Sequence, residues 1–367
     1  ADKEFNISLT EYGSARKFYS IGVPSNRDKV SLQFSAKSHS SGDSIRLSVP
    51  VEKRGLKFSI SGSGDGGDSA FELKALRDDE DFDFYPEVLK VTLTPSPVIQ
   101  MIKACEYLDR FPYGCTEQTI NKLIPRLMVA KLLENKNYSD LMPDTLKENS
   151  FRGIDEIIKK IEDFQNDDGT WGWWNGDRGN AYLTGYAMFS LFLLKQLGFA
   201  INEEITSNGI YAMERFFEDA TKADSSEISY LLYVYAIYGK WNHGAFKRII
   251  SSEQLTPYQA ANLLKAVAIL SFRDSYNSLQ DFEIKEVIEG KKLLTKQISD
   301  FAKRDNKGAY WSATKEEEYS WPGTDLEITA HVLSALIMAG DTSSLVTDAV
   351  RYITSSFKGE AWASTKE

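Results

Sequence analysis

Cysteine, histidine and basic charge are all scarce in this sequence. Its 367 residues include two cysteines, three histidines and 43 lysines and arginines against 53 acidic residues, a formal net charge of −10. Cys105 and Cys115 make no disulfide framework. Cys105 falls on a helical apolar pattern and reads as a plain buried residue, although a Cys105–Cys115 bridge stays open. His39, His243 and His331 are scattered, giving neither a metal cluster nor a Cys–His pair, so no metal or cofactor is expected. The acidic balance argues against nucleic acid or an anionic membrane surface as a partner. No apolar run reaches the ~20 residues that a bilayer span requires, so direct membrane insertion is not expected. Ala1-Asp2-Lys3-Glu4 does not read as a signal peptide, and any targeting segment is expected to lie outside this chain.

The composition, 42% hydrophobic and 26% charged, is that of a globular protein, and the length favours two domains. Residues 1–93 carry the alternation of short strands in Phe5–Leu9, Val30–Phe34, Ile45–Val49, Leu56–Ile60 and Phe71–Leu73, parted by turn-rich stretches. They are expected to form an antiparallel β-sandwich segment. The glycine-rich Ser61–Ser69 lacks the Lys-Ser/Thr and the helix of a phosphate loop, and reads as a flexible hairpin. Arg77–Asp83 reads as a solvated acidic linker.

From Ser96 the period becomes helical. Ser96 and Pro97 suit a helix start, and Val98, Met101, Ile102, Cys105 and Leu108 share one face that stops before Pro112. A second apolar helix follows from Ile120 to Leu133, with a kink expected at Pro125. Beyond it two kinds of helix alternate. The segments 151–164, 205–217, 282–301 and 345–353 have one apolar stripe and belong outside; 182–194, 228–238, 258–272 and 326–339 are apolar nearly all round and belong inside. Inner helices start near 116, 182, 228, 257 and 326, and a sixth near Ser364. Residues 94–367 are therefore expected to form an all-α toroid of nearly six helix pairs, its last inner helix truncated. The loops Asp168–Trp171, Lys307–Trp311 and Lys358–Trp362 look alike, and their tryptophans are expected to staple neighbouring repeats.

Phe111-Pro112-Tyr113-Gly114-Cys115-Thr116-Glu117-Gln118-Thr119 joins a helix stop, a glycine turn, a cysteine and a new helix start. Pro112 ends the preceding helix, Gly114 lets the backbone turn beside Cys115, and Thr116 is expected to cap the next helix. The helix dipole is expected to favour a Cys115 thiolate. Gln118 lies three residues on, on the same helical face. A cysteine sulfur and a glutamine carboxamide held together can condense, with loss of ammonia, into an internal thioester.

This stretch, Pro112 to Thr119, resembles the thioester motif of the bacterial α2-macroglobulins, relatives of the complement thioester proteins. Thr94-Pro95-Ser96-Pro97 and Tyr107-Leu108 before it and the helical repeats after it strengthen the resemblance, which extends over residues 90–367. It implies that Cys115 and Gln118 are the thioester pair, supported by Pro112, Tyr113, Gly114, Thr116, Glu117 and Thr119, on an α/α toroid preceded by a macroglobulin-like or CUB-like β segment. It further implies a single-use covalent trap rather than an enzyme: bait cleavage exposes the thioester, and a lysine of the attacking protease is acylated by Gln118 as Cys115 leaves. Expected partners are target proteases and the other domains of a longer protein, of which this chain would be a fragment. The expected setting is bacterial and defensive, in the periplasm, anchored to the envelope as a lipoprotein, or secreted. Trp173 and Trp174, with Tyr113, are expected to cover the thioester against water. Complement relatives that acylate hydroxyls use a downstream histidine; the corresponding loop here, Trp173–Asn180, has none, which implies a preference for amines.

Two other readings stand beside this one. Gln165–Trp171 resembles the Gln–Trp repeat of triterpene cyclases, which also build α/α toroids, but the helical part holds no Asp-x-Asp-Asp to protonate or ionise a substrate. A toroidal binding module with an inert Cys115 is the other. No histidine and asparagine constellation follows Cys115 to suggest a thiol protease.

Overall fold

The computed structural model describes residues 4–9, 13–16, 20–23, 27–51, 114–134, 151–219, 223–252, 255–272, 279–314 and 323–357, with a few single positions besides. The chain divides into two compact units, Ala1–Ser59 and Ile60–Glu367. The boundary expected at residue 93, the expected strands at 56–60 and 71–73, the helix before Pro112, Cys105 and the loop at 358–362 lie outside the described residues.

In the first unit the alternating runs pair as expected. β1 (Lys29–Lys37) and β2 (Gly42–Pro50) form an antiparallel hairpin in register from Lys29↔Pro50 to Lys37↔Gly42. The Ser38 hydroxyl closes its turn, accepting from the N–H groups of Ser40 and Ser41 at 3.3 and 3.1 Å. The strand expected at Phe5–Leu9 is not formed. Its side chains are exposed, so alternation there does not mark a buried face.

The second unit resolves the two kinds of helical segment into two shells, an α/α toroid. The inner helices are α1 (Thr116–Leu133), α3 (Ala181–Gln196), α5 (Ser225–Ile237), α7 (Pro257–Phe272) and α9 (Asp325–Ala339). Each packs on the next, α1 on α3, α3 on α5, α5 on α7 and α7 on α9. The outer helices α2 (Ile154–Asp163), α4 (Glu203–Glu218), α6 (His243–Ile250), α8 (Asp281–Phe301) and α10 (Ser344–Ser355) lie against them. Burial follows the pattern of the sequence. Eleven of the thirteen residues of α5 are buried, whereas α2 buries only Ile154, Ile158 and Ile161. Pro125 lies inside α1, which continues unbroken past it at the cost of one backbone hydrogen bond. The helix α6 has no counterpart in the expectations above. Its apolar stripe is short, Ala245, Phe246 and Ile249, and Asn242 caps it by accepting from Ala245 N–H at 2.9 Å.

The look-alike loops are structural equivalents. Trp171 and Trp311 are both fully buried. Each indole N–H donates at 2.7 Å to a carbonyl of the preceding outer helix, Ile161 in one case and Ile298 in the other. Each backbone N–H donates at 3.1 Å to a threonine hydroxyl on the following inner helix, Thr184 or Thr329. The stapling role is thus observed twice. A glycine is required at the tip of each loop. Gly169 and Gly308 have φ of +79° and +144°, and a Cβ on either would strike the backbone of the next outer helix, at Asn208 of α4 or Asp348 of α10. Gly308 also belongs to a small hairpin of β3 (Lys303–Asp305) and β4 (Gly308–Tyr310).

Candidate functional site

Four of the five described inner helices, all but α3, share a way of starting. At α5 and α9 the cap and the third helical residue bond each other reciprocally, Asp224 with Glu227 and Thr324 with Glu327. Thr256 and Gln259 do the same at α7, through bonds of 3.2 and 3.3 Å. This is the capping box, which satisfies two orphan N–H groups at a helix start. At α1 the two places in the box are held by Cys115 and Gln118. The Gln118 N–H faces the Cys115 sulfur, and the Gln118 side-chain carbonyl accepts from the Cys115 N–H at 3.5 Å. The cap is therefore Cys115 rather than Thr116, which is the first helical residue. The capping box brings a nucleophilic sulfur and a carboxamide to the same end of one helix, by local geometry alone.

The loop ahead of α3 anchors this end. Thr116 donates its N–H to the Trp173 carbonyl at 2.9 Å and its hydroxyl to the Gly172 carbonyl at 2.6 Å. Thr119 bonds back through its N–H to the Cys115 carbonyl at 2.9 Å and through its hydroxyl to the Gly114 carbonyl at 3.5 Å. Gly114 leaves room for the Lys160 ammonium of α2, which a Cβ there would approach to 2.5 Å. Pro112 and Tyr113 lie outside the described residues. Trp173 and Trp174 belong to the anchoring loop and are 45% and 55% exposed. Within the described residues the backbone of this loop lies against the start of α1.

Cys115 is 5% exposed. Its thiol pKa is raised, chiefly by burial and further by the negative charge and acceptor oxygen of Glu117. The backbone N–H groups of Gln118 and Glu117 act the other way, as a helix start should, but are outweighed. The expected stabilisation of a thiolate is thus reversed, because the dipole argument took no account of a dry site with a carboxylate in it. The Glu117 carboxylate is buried with its Oε2 3.9 Å from the Cys115 Sγ. Its Oε1 accepts from Asn121 Nδ2 at 2.5 Å, and the Asn121 carbonyl accepts from the Tyr186 hydroxyl of α3 at 2.6 Å. Neither Asn121 nor Tyr186 was foreseen as part of the site. Asn121 lies one turn beyond Glu117 on the same face, which was the available signal; Tyr186 is 65 residues further along and gave none. Tyr186 continues into a buried stack with Tyr182 and Tyr230, at ring separations of 5.7 and 5.4 Å. Burial pushes the pKa of all three phenols up, so they remain neutral donors.

Among the described residues no group of histidine, cysteine and carboxylate side chains could hold a metal ion, and no helix is long and apolar enough to cross a membrane.

The fold and the site define a class: an α/α toroidal domain whose first inner helix opens on a Cys-x-x-Gln capping box. Residues 90–227 match the family model described as the A-macroglobulin TED domain. The chain is 23% identical over 256 residues to an alpha-2-macroglobulin of Thermotoga maritima, covering 66% of this chain and 14% of that protein. It is 27% identical over 173 residues to an alpha-2-macroglobulin of Rickettsia conorii, covering 46% of this chain and 9% of the relative. The crystal structure of Salmonella alpha-2-macroglobulin reacted with methylamine superposes with a TM-score of 0.55 at 20% identity, over 73% of this chain and 17% of that one. Through this region the chain is similar to the thioester-domain part of alpha-2-macroglobulins, and it spans a small part of the relatives' length. The family match covers α1 to α4, and α5 to α10 extend the same two-shell architecture beyond it.

Proposed function

We propose that Cys115 and Gln118 form an internal thioester, and that this toroid is the reactive domain of a protease-trapping protein. The observation that carries this reading is the capping box at α1. A hydroxyl or carboxylate at the cap can only hydrogen-bond to the third residue; a cysteine there can condense with its carboxamide. The bond would lie where the N–H groups of Glu117 and Gln118 already point at sulfur, and in surroundings dry enough to slow hydrolysis. The thioester is an acyl-enzyme-like intermediate held before attack. A lysine amine from a captured protease attacks the Gln118 carbonyl, Cys115 leaves as thiol, and the trap is spent. The chain is thus an inhibitor domain and turns nothing over.

The loop that lies against Thr116 is the histidine-free loop at 173–180. That placement supports a preference for amines over hydroxyls, since this loop supplies no imidazole to relay an acyl group. The exposed Trp173 and Trp174 suit a cover completed by another domain of the parent protein, to be opened when a bait segment is cut. Similarity to bacterial alpha-2-macroglobulins supports a bacterial protein working at the envelope or outside the cell, in defence against foreign proteases.

Intact mass under denaturing conditions, before and after methylamine, tests the reading. The expected species weighs one ammonia less than the sequence and has no free thiol at Cys115; methylamine adds its own mass and frees one thiol. A chain of full sequence mass with a titratable Cys115, in the freshly isolated parent protein as well as here, would overturn it. Glycerol transfer as efficient as methylamine transfer would overturn the amine preference alone.

A further inference from the structure

We infer that Glu117 is the proton shuttle of this site, taking the proton from the Cys115 thiol when the thioester closes and returning one to sulfur when an amine opens it. The inference rests on the thioester reading above and adds to it a residue with a chemical role. Closing the bond needs two proton movements that the Cys–Gln pair cannot make alone. Sulfur must lose its proton to attack the Gln118 carbonyl carbon, and the amide nitrogen must gain one to depart as ammonia. One carboxylate within reach of sulfur can do both in turn.

The geometry fits that task. Glu117 Oε2 lies 3.9 Å from the Cys115 Sγ, with both residues buried. The other oxygen, Oε1, is held by Asn121, which the Tyr186 hydroxyl of the next inner helix holds in turn. Anchoring one oxygen fixes the carboxylate plane, so the second stays aimed at sulfur without a new ordering cost at reaction. The thiol, kept protonated by burial, needs such a base nearby. A carboxylate whose only role was to complement the helix N-terminus would sit as well on the exposed side of the first turn. This one is instead buried, beside the reacting sulfur.

The steps balance. In closure, the Sγ–H proton passes to Oε2 as the S–C bond forms at Gln118 Cδ. The Glu117 carboxyl then gives that proton to the amide nitrogen as the C–N bond breaks, and ammonia leaves. In opening, the attacking amine loses a proton to Glu117 as its nitrogen bonds to Cδ, and the same proton goes to sulfur as the C–S bond breaks. Glu117 begins and ends as carboxylate in both directions.

Glu117→Gln keeps the shape and the hydrogen bond to Asn121 but cannot carry a proton. The experiment follows wild type and this variant by intact mass after timed refolding and by methylamine uptake between pH 6 and 9, with circular dichroism melting as the check on fold. For general acid–base catalysis the expected loss is about 100-fold in both closure and uptake, with the wild-type pH inflection of uptake abolished. A purely structural glutamate would leave that inflection in place. Closure and uptake at wild-type rates in Glu117→Gln, with wild type itself showing the loss of ammonia, overturn the shuttle while the thioester stands. Full sequence mass in wild type overturns the thioester, and the shuttle with it. If Glu117→Gln does not fold, Glu117→Asp decides. It keeps a carboxylate but draws it back from sulfur, so slowed uptake with a retained inflection supports the shuttle and a wild-type rate overturns it.

Discussion

Lys265, on the inner helix α7, gives this fold a pH dependence that can be worked from its surroundings. It is 3% exposed, and its Nζ lies 3.0 Å from His331 Nδ1 of α9 and 4.6 Å above the Tyr233 ring of α5. Burial pulls its pKa from 10.5 down to about 7. Burial and then the Lys265 charge hold His331 well below its ordinary value. Between pH 7 and 9 the unfolded chain therefore keeps the lysine proton while the native state sheds it. Since the unfolded state binds more protons, stability rises with pH, at up to about 1.36 kcal/mol per pH unit for one group. With the native lysine half-titrated at the lower end, the gain from pH 7 to 9 is about 2 kcal/mol. His331 contributes only below its ordinary value of 6.5, where the unfolded state binds the extra proton and stability falls with acidification. The raised phenols of Tyr182 and Tyr186 act only above about pH 10, where they lower stability. The raised Cys115 thiol lowers stability as pH approaches 9, in wild type and variant alike, and cancels in a difference. The measurement is urea unfolding followed by tryptophan fluorescence at pH 7 and 9, for wild type and Lys265→Met. Wild type should gain about 2 kcal/mol more than the variant over this interval. Parallel profiles would refute the reasoning, since they would mean that Lys265 stays charged in the native state.

Two further expectations concern the repeated loops. Trp171→Phe and Trp311→Phe each strand a buried helix carbonyl, of Ile161 or Ile298, and should each lower the unfolding free energy by about 1–3 kcal/mol; widely different losses in urea unfolding would contradict the equivalence of the two loops. Gly169→Ala should be at least as damaging, because the side chain meets both a left-handed backbone and the α4 backbone at Asn208; an unchanged thermal midpoint would show that the loop can lift from α4 without loss.

The local parts of this protein are legible in its sequence. Helix stripes report on one face of one element, so among the described residues the five inner helices and four of the five outer ones could be told apart before any contact was known. The Cys115–Gln118 pairing is equally local, because a capping box needs only residues three apart. What the sequence left open or misjudged depends on partners far along the chain. Alternation at Phe5–Leu9 did not suffice for a strand, and the stripe of α6, Ala245, Phe246 and Ile249, spans little more than one turn. The state of the Cys115 thiol was set against the helix-dipole expectation by the walls of its site. Glu117 becomes a candidate for chemistry only because Asn121 and Tyr186 fix its carboxylate, and Lys265 loses proton affinity only because α5 and α9 close around it. Periodicity and capping are written in neighbouring residues, whereas desolvation and the meeting of side chains 65 or 66 residues apart exist only once the helices have packed.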